Sequence, residues 1–172
     1  MSKKTILLVG ESGSGKSYLC EKLSEKGLRE LTSYTTRKPR HFNEKGHIFI
    51  TKEEYDRLPN KISCTYFAGN FYCATKEQVD DCDLYVIDVK GIKMLKKNYS
   101  GDKDLIVVGL RASEELRRSR MVARGDDSSV VDYRIEHDRA AFKDLLSICD
   151  VVLDATKPIE ELEKSIIRIL QS

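Results

Sequence analysis

Residues 10–17 read Gly10-Glu11-Ser12-Gly13-Ser14-Gly15-Lys16-Ser17, and this stretch carries the most specific chemistry in the chain. Its spacing is GxxxxGK[ST], in which glycines let the backbone curl until successive N–H groups point inward at phosphate oxygens. Lys16 supplies a point charge to the outer phosphates, and the Ser17 hydroxyl can ligate a magnesium ion. The bland alternative is a glycine-rich turn that binds nothing. Against it stands the context: the apolar run Ile6-Leu7-Leu8-Val9 suits a buried strand, and Tyr18–Leu23 continues as a helix. Such a helix adds its own unpaired N–H groups and the positive end of its dipole. The loop is read as a site for a nucleoside triphosphate. A second cluster, Ser33-Tyr34-Thr35-Thr36-Arg37-Lys38-Pro39-Arg40, sets two guanidiniums three residues apart beside several hydroxyls. These can grip another phosphate by forked hydrogen bonds. Read without further context, the same stretch could be a solvated basic turn.

The elements that must position these groups follow an alternating rhythm. Strands are expected at Thr5–Val9, Leu84–Asp88, Leu105–Leu110 and Asp150–Leu153. Helices are expected at Lys16–Glu25, Gly91–Lys97, Ser113–Ala123, Val130–Ser147 and Ile159–Leu170, with Ser113 as an N-cap and Pro158 in the first turn of the last one. Alternation of this kind predicts a parallel sheet covered by helices. Between Leu31 and Thr75 the rhythm changes to short runs (47–50, 62–67 and 71–74), with a brief helix at Lys52–Leu58 and a hairpin turn at Ala68-Gly69-Asn70. This stretch reads as a small, mostly antiparallel insert forming the far wall of a cleft that faces the phosphate loop.

Composition narrows the class. A chain of 172 residues is read as one domain large enough to bury a core. Thirty basic against 28 acidic residues leave a net charge of +2, so no bulk field recruits nucleic acid or an acidic membrane, and neither is expected as a partner. No apolar run approaches the length needed to span a bilayer, and Met1-Ser2-Lys3-Lys4 leads directly into the first strand; a cytoplasmic protein is expected. Five cysteines without a CxxC pair, and three histidines, argue against a zinc site or a disulfide framework. The cysteines read as reduced thiols, mostly small core residues. Arg117, Arg118 and Arg139 are interleaved with Glu114, Glu115, Glu136 and Asp138 and read as solvated helix faces. His41 and His137 read as surface histidines.

The phosphate loop followed by S-x-T-T-R-x-P-R resembles the guanylate kinase family of P-loop nucleoside monophosphate kinases. Gly69-Asn70-Phe71-Tyr72 is similar to the family's G-N-Y-Y segment, and Val86-Ile87-Asp88-Val89-Lys90-Gly91 to its strand-end acidic motif. Arg120-Met121-Val122-Ala123-Arg124-Gly125 resembles the R-L-x-x-R-G that opens the family's lid, and Arg134 falls where the following helix carries an arginine. The resemblance covers nearly the whole chain and implies an α/β, three-layer P-loop NTPase fold. Its core would be 1–32 and 76–172, its insert for the nucleoside monophosphate 33–75, and its helical lid about 120–136. It further implies transfer of the γ-phosphoryl of ATP to a nucleoside monophosphate, with Mg²⁺ as cofactor. ATP would sit on residues 10–17. Lys16, Arg37, Arg120, Arg124 and Arg134 would neutralise the transferring group. Ser33, Arg37, Arg40 and Tyr72 would bind the acceptor's phosphate. Ser17 would ligate the metal directly. Asp88 would organise it through water or touch the acceptor. Monomer and homodimer both remain open.

The acceptor pocket departs from the family pattern. His47 stands where a tyrosine helps bind the acceptor phosphate, Ser63 where a glutamate reads guanine, and Ala74 where a hydroxyl lies near its O6. GMP or dGMP is the first expectation for the acceptor. A different base preference, a non-catalytic guanylate kinase-like binding module, and a P-loop kinase acting on another metabolite are the alternatives.

Overall fold

The unbroken run Ile6-Leu7-Leu8-Val9 suits a strand covered on both faces, and the chain builds it that way. In the computed structural model, which describes residues 3–39, 42–67 and 69–172 (Phe67 by its backbone alone), four strands form a parallel sheet. They are β1 (Lys4–Val9), β6 (Leu84–Val86), β7 (Asp104–Arg111) and β8 (Val151–Asp154), in the order β6-β1-β7-β8. Successive side chains of a strand point to opposite faces. Ile6 and Leu8 therefore pack with Leu19 and Leu23 of α1 (Lys16–Glu25) and with Leu162 and Ile166 of α8 (Ile159–Gln171). Leu7 and Val9 pack on the other side with Val79 of α3 (Lys76–Asp81), Ile92 and Leu95 of α4 (Val89–Asn98), and Leu145 of α7 (Leu145–Ile148). The result is the three-layer P-loop NTPase arrangement, with the phosphate loop between β1 and α1 at the carboxyl end of a central strand.

A second sheet is made by β2 (Ser33–Thr35), β3 (His47–Phe49), β4 (Lys61–Phe67) and β5 (Asn70–Thr75), in the order β3-β2-β5-β4. The β2–β3 pair is parallel, and the β2–β5 and β4–β5 pairs are antiparallel. The short helix α2 (Lys52–Arg57) is held by a capping box, with Thr51 accepting from the Glu54 N–H and Glu54 from the Thr51 N–H. Opposite the insert, α5 (Glu114–Ala123) and α6 (Ser128–Ala141) form a helical hairpin with its own cluster of three buried residues, Met121, Val131 and Ile135.

Several expected boundaries shift for local reasons. The strand expected at Leu84–Asp88 ends at Val86, because the Asp88 side chain caps α4 by accepting from the Gly91 N–H at 2.6 Å. The helix expected over Val130–Ser147 is two helices; Phe142, with φ −109, leaves the helical region and packs against the core beside Leu145. Pro158 sits at the N-cap of α8 rather than inside its first turn. Helix α3 was not expected, although Thr75 and Gln78 form a capping box and carry its start signal. Arg40, His41 and Ala68, expected in the phosphate clamp, as a surface histidine and in the hairpin turn, lie outside the described residues. Among the described residues no helix is long and apolar enough to cross a membrane.

Candidate functional site

The phosphate loop is shaped by two glycines that no other residue replaces cheaply. Gly13 has φ +78, and a Cβ there would lie 2.6 Å from the Arg117 carbonyl oxygen; Gly15, with φ +98, stands directly before α1. Within the loop Lys16 is turned back on the chain: its Nζ donates to the Gly10 carbonyl at 2.5 Å, the Glu11 carbonyl at 3.1 Å and Ser14 Oγ at 3.4 Å. The residue as a whole is half-buried, but its ammonium is withdrawn from water. Burial pushes that ammonium down to about 8, with Asp138 the leading opposing charge. A partly desolvated cation held by neutral carbonyls is ready to exchange them for anionic oxygens.

Arg120, Arg124 and Arg134 reach the same cavity, a space of about 690 Å³ lined also by Ser12 to Tyr18 and Ala155. Arg120 Nη1 donates to the Ser14 carbonyl at 3.2 Å and Nη2 to the Ala155 carbonyl at 2.7 Å. Arg124 pairs with Asp126 at 2.5 Å, and Arg134 lies 4.0 Å from the same carboxylate. The fold thus gathers the loop and the three expected arginines around one concave surface.

Arg117 overturns its expectation. It is 3% exposed rather than solvated, and it forms a buried ionic cluster with Glu11 at 3.2 Å and Asp138 at 3.7 Å. Asp138 Oδ2 accepts from the Ser12 N–H at 2.6 Å, and Arg117 Nη1 donates to the Ser12 carbonyl at 3.4 Å. The cluster holds the loop from behind, tying it to both α5 and α6. Burial raises the Glu11 carboxyl, with Arg117 opposing. Arg118 and Arg139 do lie on the outer faces, paired with Glu114, Asp132 and Glu136. His137 is also exposed and stacks on Tyr133.

On the insert side a smaller cavity, about 240 Å³, is lined by Ser33, His47, Ser63, Thr65, Tyr72 and Asp88, among others. Ser33 Oγ and His47 Nδ1 are 3.0 Å apart, and the His47 ring meets Tyr72 edge-on at 5.5 Å. Ser63 is buried, its hydroxyl donating to the Gly91 carbonyl at 3.3 Å; its cross-strand partner is Ala74. Arg37 is paired by both Nη atoms with Glu44, at 2.7 and 3.2 Å, and its guanidinium lies over Phe49 at 5.3 Å. Sequence reasoning missed Glu44 as well as the buried ionic roles of Arg117 and Asp138.

A third space, about 670 Å³, joins the two. Gly10, Ser12 and Lys16 line one end, Thr65 and Tyr66 the other, and Val86 to Lys90 with His137, Asp138 and Ala140 to Phe142 form the walls. Asp88 belongs to both this space and the smaller cavity. No three His, Cys, Asp or Glu side chains among the described residues converge as a metal site. The donors at the loop are instead hard oxygens, with Ser17 on an exposed first turn of α1 lining the larger cavity. That set fits Mg²⁺, which keeps waters and takes its other ligands from phosphates.

No protein-family profile and no curated protein matches the chain. Among solved structures it is similar to guanylate kinase from Anaplasma phagocytophilum, with a TM-score of 0.58 and 26% sequence identity over 99% of this chain and 87% of that one. The likeness supports nucleotide kinase function in general terms. In its layered core the chain has a guanylate kinase-like fold over nearly its whole length.

Proposed function

We propose that the chain is a nucleoside monophosphate kinase that moves the γ-phosphoryl of ATP to the phosphate of a bound nucleoside monophosphate. The observation that carries this reading is the joining space, with Lys16 at one end, Thr65 at the other and Asp88 in its wall. A donor held at the loop and an acceptor held on the insert would meet across it.

Such a transfer needs alignment and charge neutralisation more than covalent help. Lys16 would leave the Gly10 and Glu11 carbonyls for the β- and γ-phosphates, while backbone N–H groups of the loop and of the first turn of α1 hold the remaining oxygens. Arg120, Arg124 and Arg134 would close over the transferring group as the hairpin of α5 and α6 moves inward as a lid. That hairpin has a small apolar cluster of its own, Met121, Val131 and Ile135, and would turn about the point where buried Arg117 and Asp138 hold the loop. Ser33, Arg37 and Tyr72, with His47 beside Ser33, would hold the acceptor's phosphate, joined by Arg40. Ser17 would hold Mg²⁺ directly, and Asp88 would either assist through water or turn to the acceptor; when bound, the ion neutralises phosphate charge and fixes its geometry.

For the acceptor's base, GMP or dGMP is the first reading. Asp88 is the one carboxylate among the described residues that line the acceptor cavity, and a carboxylate suits a base edge rich in donors. A second reading, an altered base preference, is favoured by Ser63, whose hydroxyl is committed to the Gly91 carbonyl where a free acceptor would be needed. Purified protein with ATP, Mg²⁺ and each nucleoside and deoxynucleoside monophosphate decides between them. Turnover confined to GMP or dGMP supports the first, and turnover led by another base supports the second. ATP binding by calorimetry with no turnover on any acceptor rejects the kinase in favour of a binding module.

A further inference from the structure

Cys64 and Cys73 stand directly opposite each other on β4 and β5, with their sulfurs 2.7 Å apart. Backbone orientation shows what kind of pair this is. The Phe71 N–H donates to Thr36 Oγ1 and its carbonyl accepts from the Thr36 N–H and Thr35 Oγ1, so the polar backbone of Phe71 faces β2 rather than β4. Cys73 lies two residues further along the same strand and shares that orientation. From the other side, the Cys64 N–H points away from β5 and donates to Met94 Sδ of α4 at 3.0 Å. The two cysteines are therefore a non-hydrogen-bonded antiparallel pair, in which Cα atoms approach to about 4.5 Å. Disulfides span Cα separations of about 4.4–6.8 Å, so a bond between these sulfurs needs no rearrangement of the sheet.

The surroundings favour a thiolate on one sulfur. The hydrogen bond from Cys73, then that from the Tyr55 hydroxyl, and the nearby Lys61 ammonium bring the Cys64 thiol down to about 6, against the effect of burial. The same interaction raises Cys73. Elsewhere burial pushes Cys20 up to about 12 and Cys82 up to about 11, leaving both unreactive. Cys64 is half-buried and Cys73 is buried behind it, the order expected of an attacking and a resolving sulfur.

We propose that Cys64 and Cys73 form a redox-active dithiol, a modification site that closes reversibly to a disulfide by exchange with a low-molecular-weight disulfide. The Cys64 thiolate attacks one sulfur of the small disulfide; that S–S bond breaks, one small thiolate leaves, and a mixed disulfide forms on Cys64. Cys73 gives its proton to solvent and attacks the Cys64 sulfur, expelling the second small thiolate. Two protein thiols lose two electrons and the small disulfide gains them. The site lies on the back of the acceptor wall: neighbours Ser63, Thr65 and Tyr72 line the cavity on the opposite face of the same two strands. It stands whether or not the cleft transfers phosphate.

The test equilibrates the full chain with reduced and oxidised glutathione at graded ratios, quenches with acid, alkylates the unfolded protein and digests it with trypsin. Both cysteines fall in one peptide, Ile62 to Lys76. That peptide is expected to lack two hydrogens and to escape alkylation, while peptides carrying Cys20, Cys82 and Cys149 are alkylated. Cys73→Ser is expected to stop at the mixed disulfide on Cys64. It should reach that point about fivefold faster than Cys73→Ala, because serine keeps a hydrogen bond to the sulfur and so its thiolate fraction. Full alkylation of the Ile62 to Lys76 peptide at every ratio, or earlier oxidation of Cys20, Cys82 or Cys149, overturns the proposal; neither readout needs a variant that folds.

Discussion

The two ends of the cleft hold their cations in different ways. At the phosphate loop, Lys16 and Arg120 are satisfied by backbone carbonyls, those of Gly10, Glu11, Gly13, Ser14 and Ala155. On the insert, Arg37 is held through its Nη atoms by the Glu44 carboxylate, and Ser33 by His47. Backbone groups are common to every sequence, so the loop end is specified by its path through space. Side-chain partners are chosen residue by residue, so the insert end can change what it accepts without disturbing the sheet that carries it. The contrast lets residues such as His47, Ser63 and Ala74 vary on the insert while the GxxxxGK[ST] loop keeps its path.

The comparison can be broken most severely at the loop. Lys16→Ala should lower phosphoryl transfer by about a thousandfold while circular dichroism shows the fold retained, since it removes a preorganised charge from the transferring group. Turnover equal to the parent's would refute the assigned role. Next comes the support behind the loop. Arg117→Ala leaves Glu11 and Asp138 buried without their cation and should cost about 3 kcal/mol in denaturant unfolding. Arg118→Ala, on the exposed face of the same helix, should cost no more than about 1 kcal/mol. Equal losses would mean that the buried cluster does not anchor the loop.

A pH series sharpens the comparison further. The empty-state Lys16 ammonium has been brought down to about 8, and a bound phosphate raises it again. ATP binding therefore takes up a proton above pH 8 and weakens as protons become scarce, by up to tenfold per pH unit. Below pH 8 the lysine is charged in both states and contributes no dependence. Calorimetry in buffers of differing ionisation enthalpy, at pH 7 and pH 9, measures that uptake; none at pH 9 would place the proton elsewhere. The smallest effect is expected on the insert. Glu44→Gln removes the anion that competes for Arg37 and should tighten acceptor binding about threefold, with ATP affinity unchanged. Weaker acceptor binding would instead make Glu44 a positioning residue for Arg37.

What was legible in the sequence follows the same division. The unbroken apolar runs 6–9 and 105–108, the loop and the capping serine Ser113 are local signals, and they were read where the structure has them. Arg117 was not legible, because Glu114 and Glu115 beside it make the pattern of a solvated face, and its burial is decided by where α5 crosses the loop. The break at Phe142 comes from side-chain packing against a core assembled from distant residues, which no window along the chain reports. The Cys64–Cys73 pair was missed by one residue: the expected turn through Asn70 closes Phe67 on Phe71 and sets residue 64 opposite 74, whereas Asn70 belongs to β5 and pairs with Phe67.

Arg120 bridges the loop carbonyls of Gly13 and Ser14 to that of Ala155, beyond the last strand. Together with Lys16 it makes the empty loop a latch closed by neutral dipoles. Opening it exchanges each carbonyl for a phosphate oxygen, one hydrogen bond for another, so the net gain comes from the formal charge that the ligand delivers. The latch should accordingly respond to how many phosphates arrive, with triphosphate favoured over diphosphate and diphosphate over monophosphate, and that ranking should compress as ionic strength rises. In this sense the loop counts charge before any base is read.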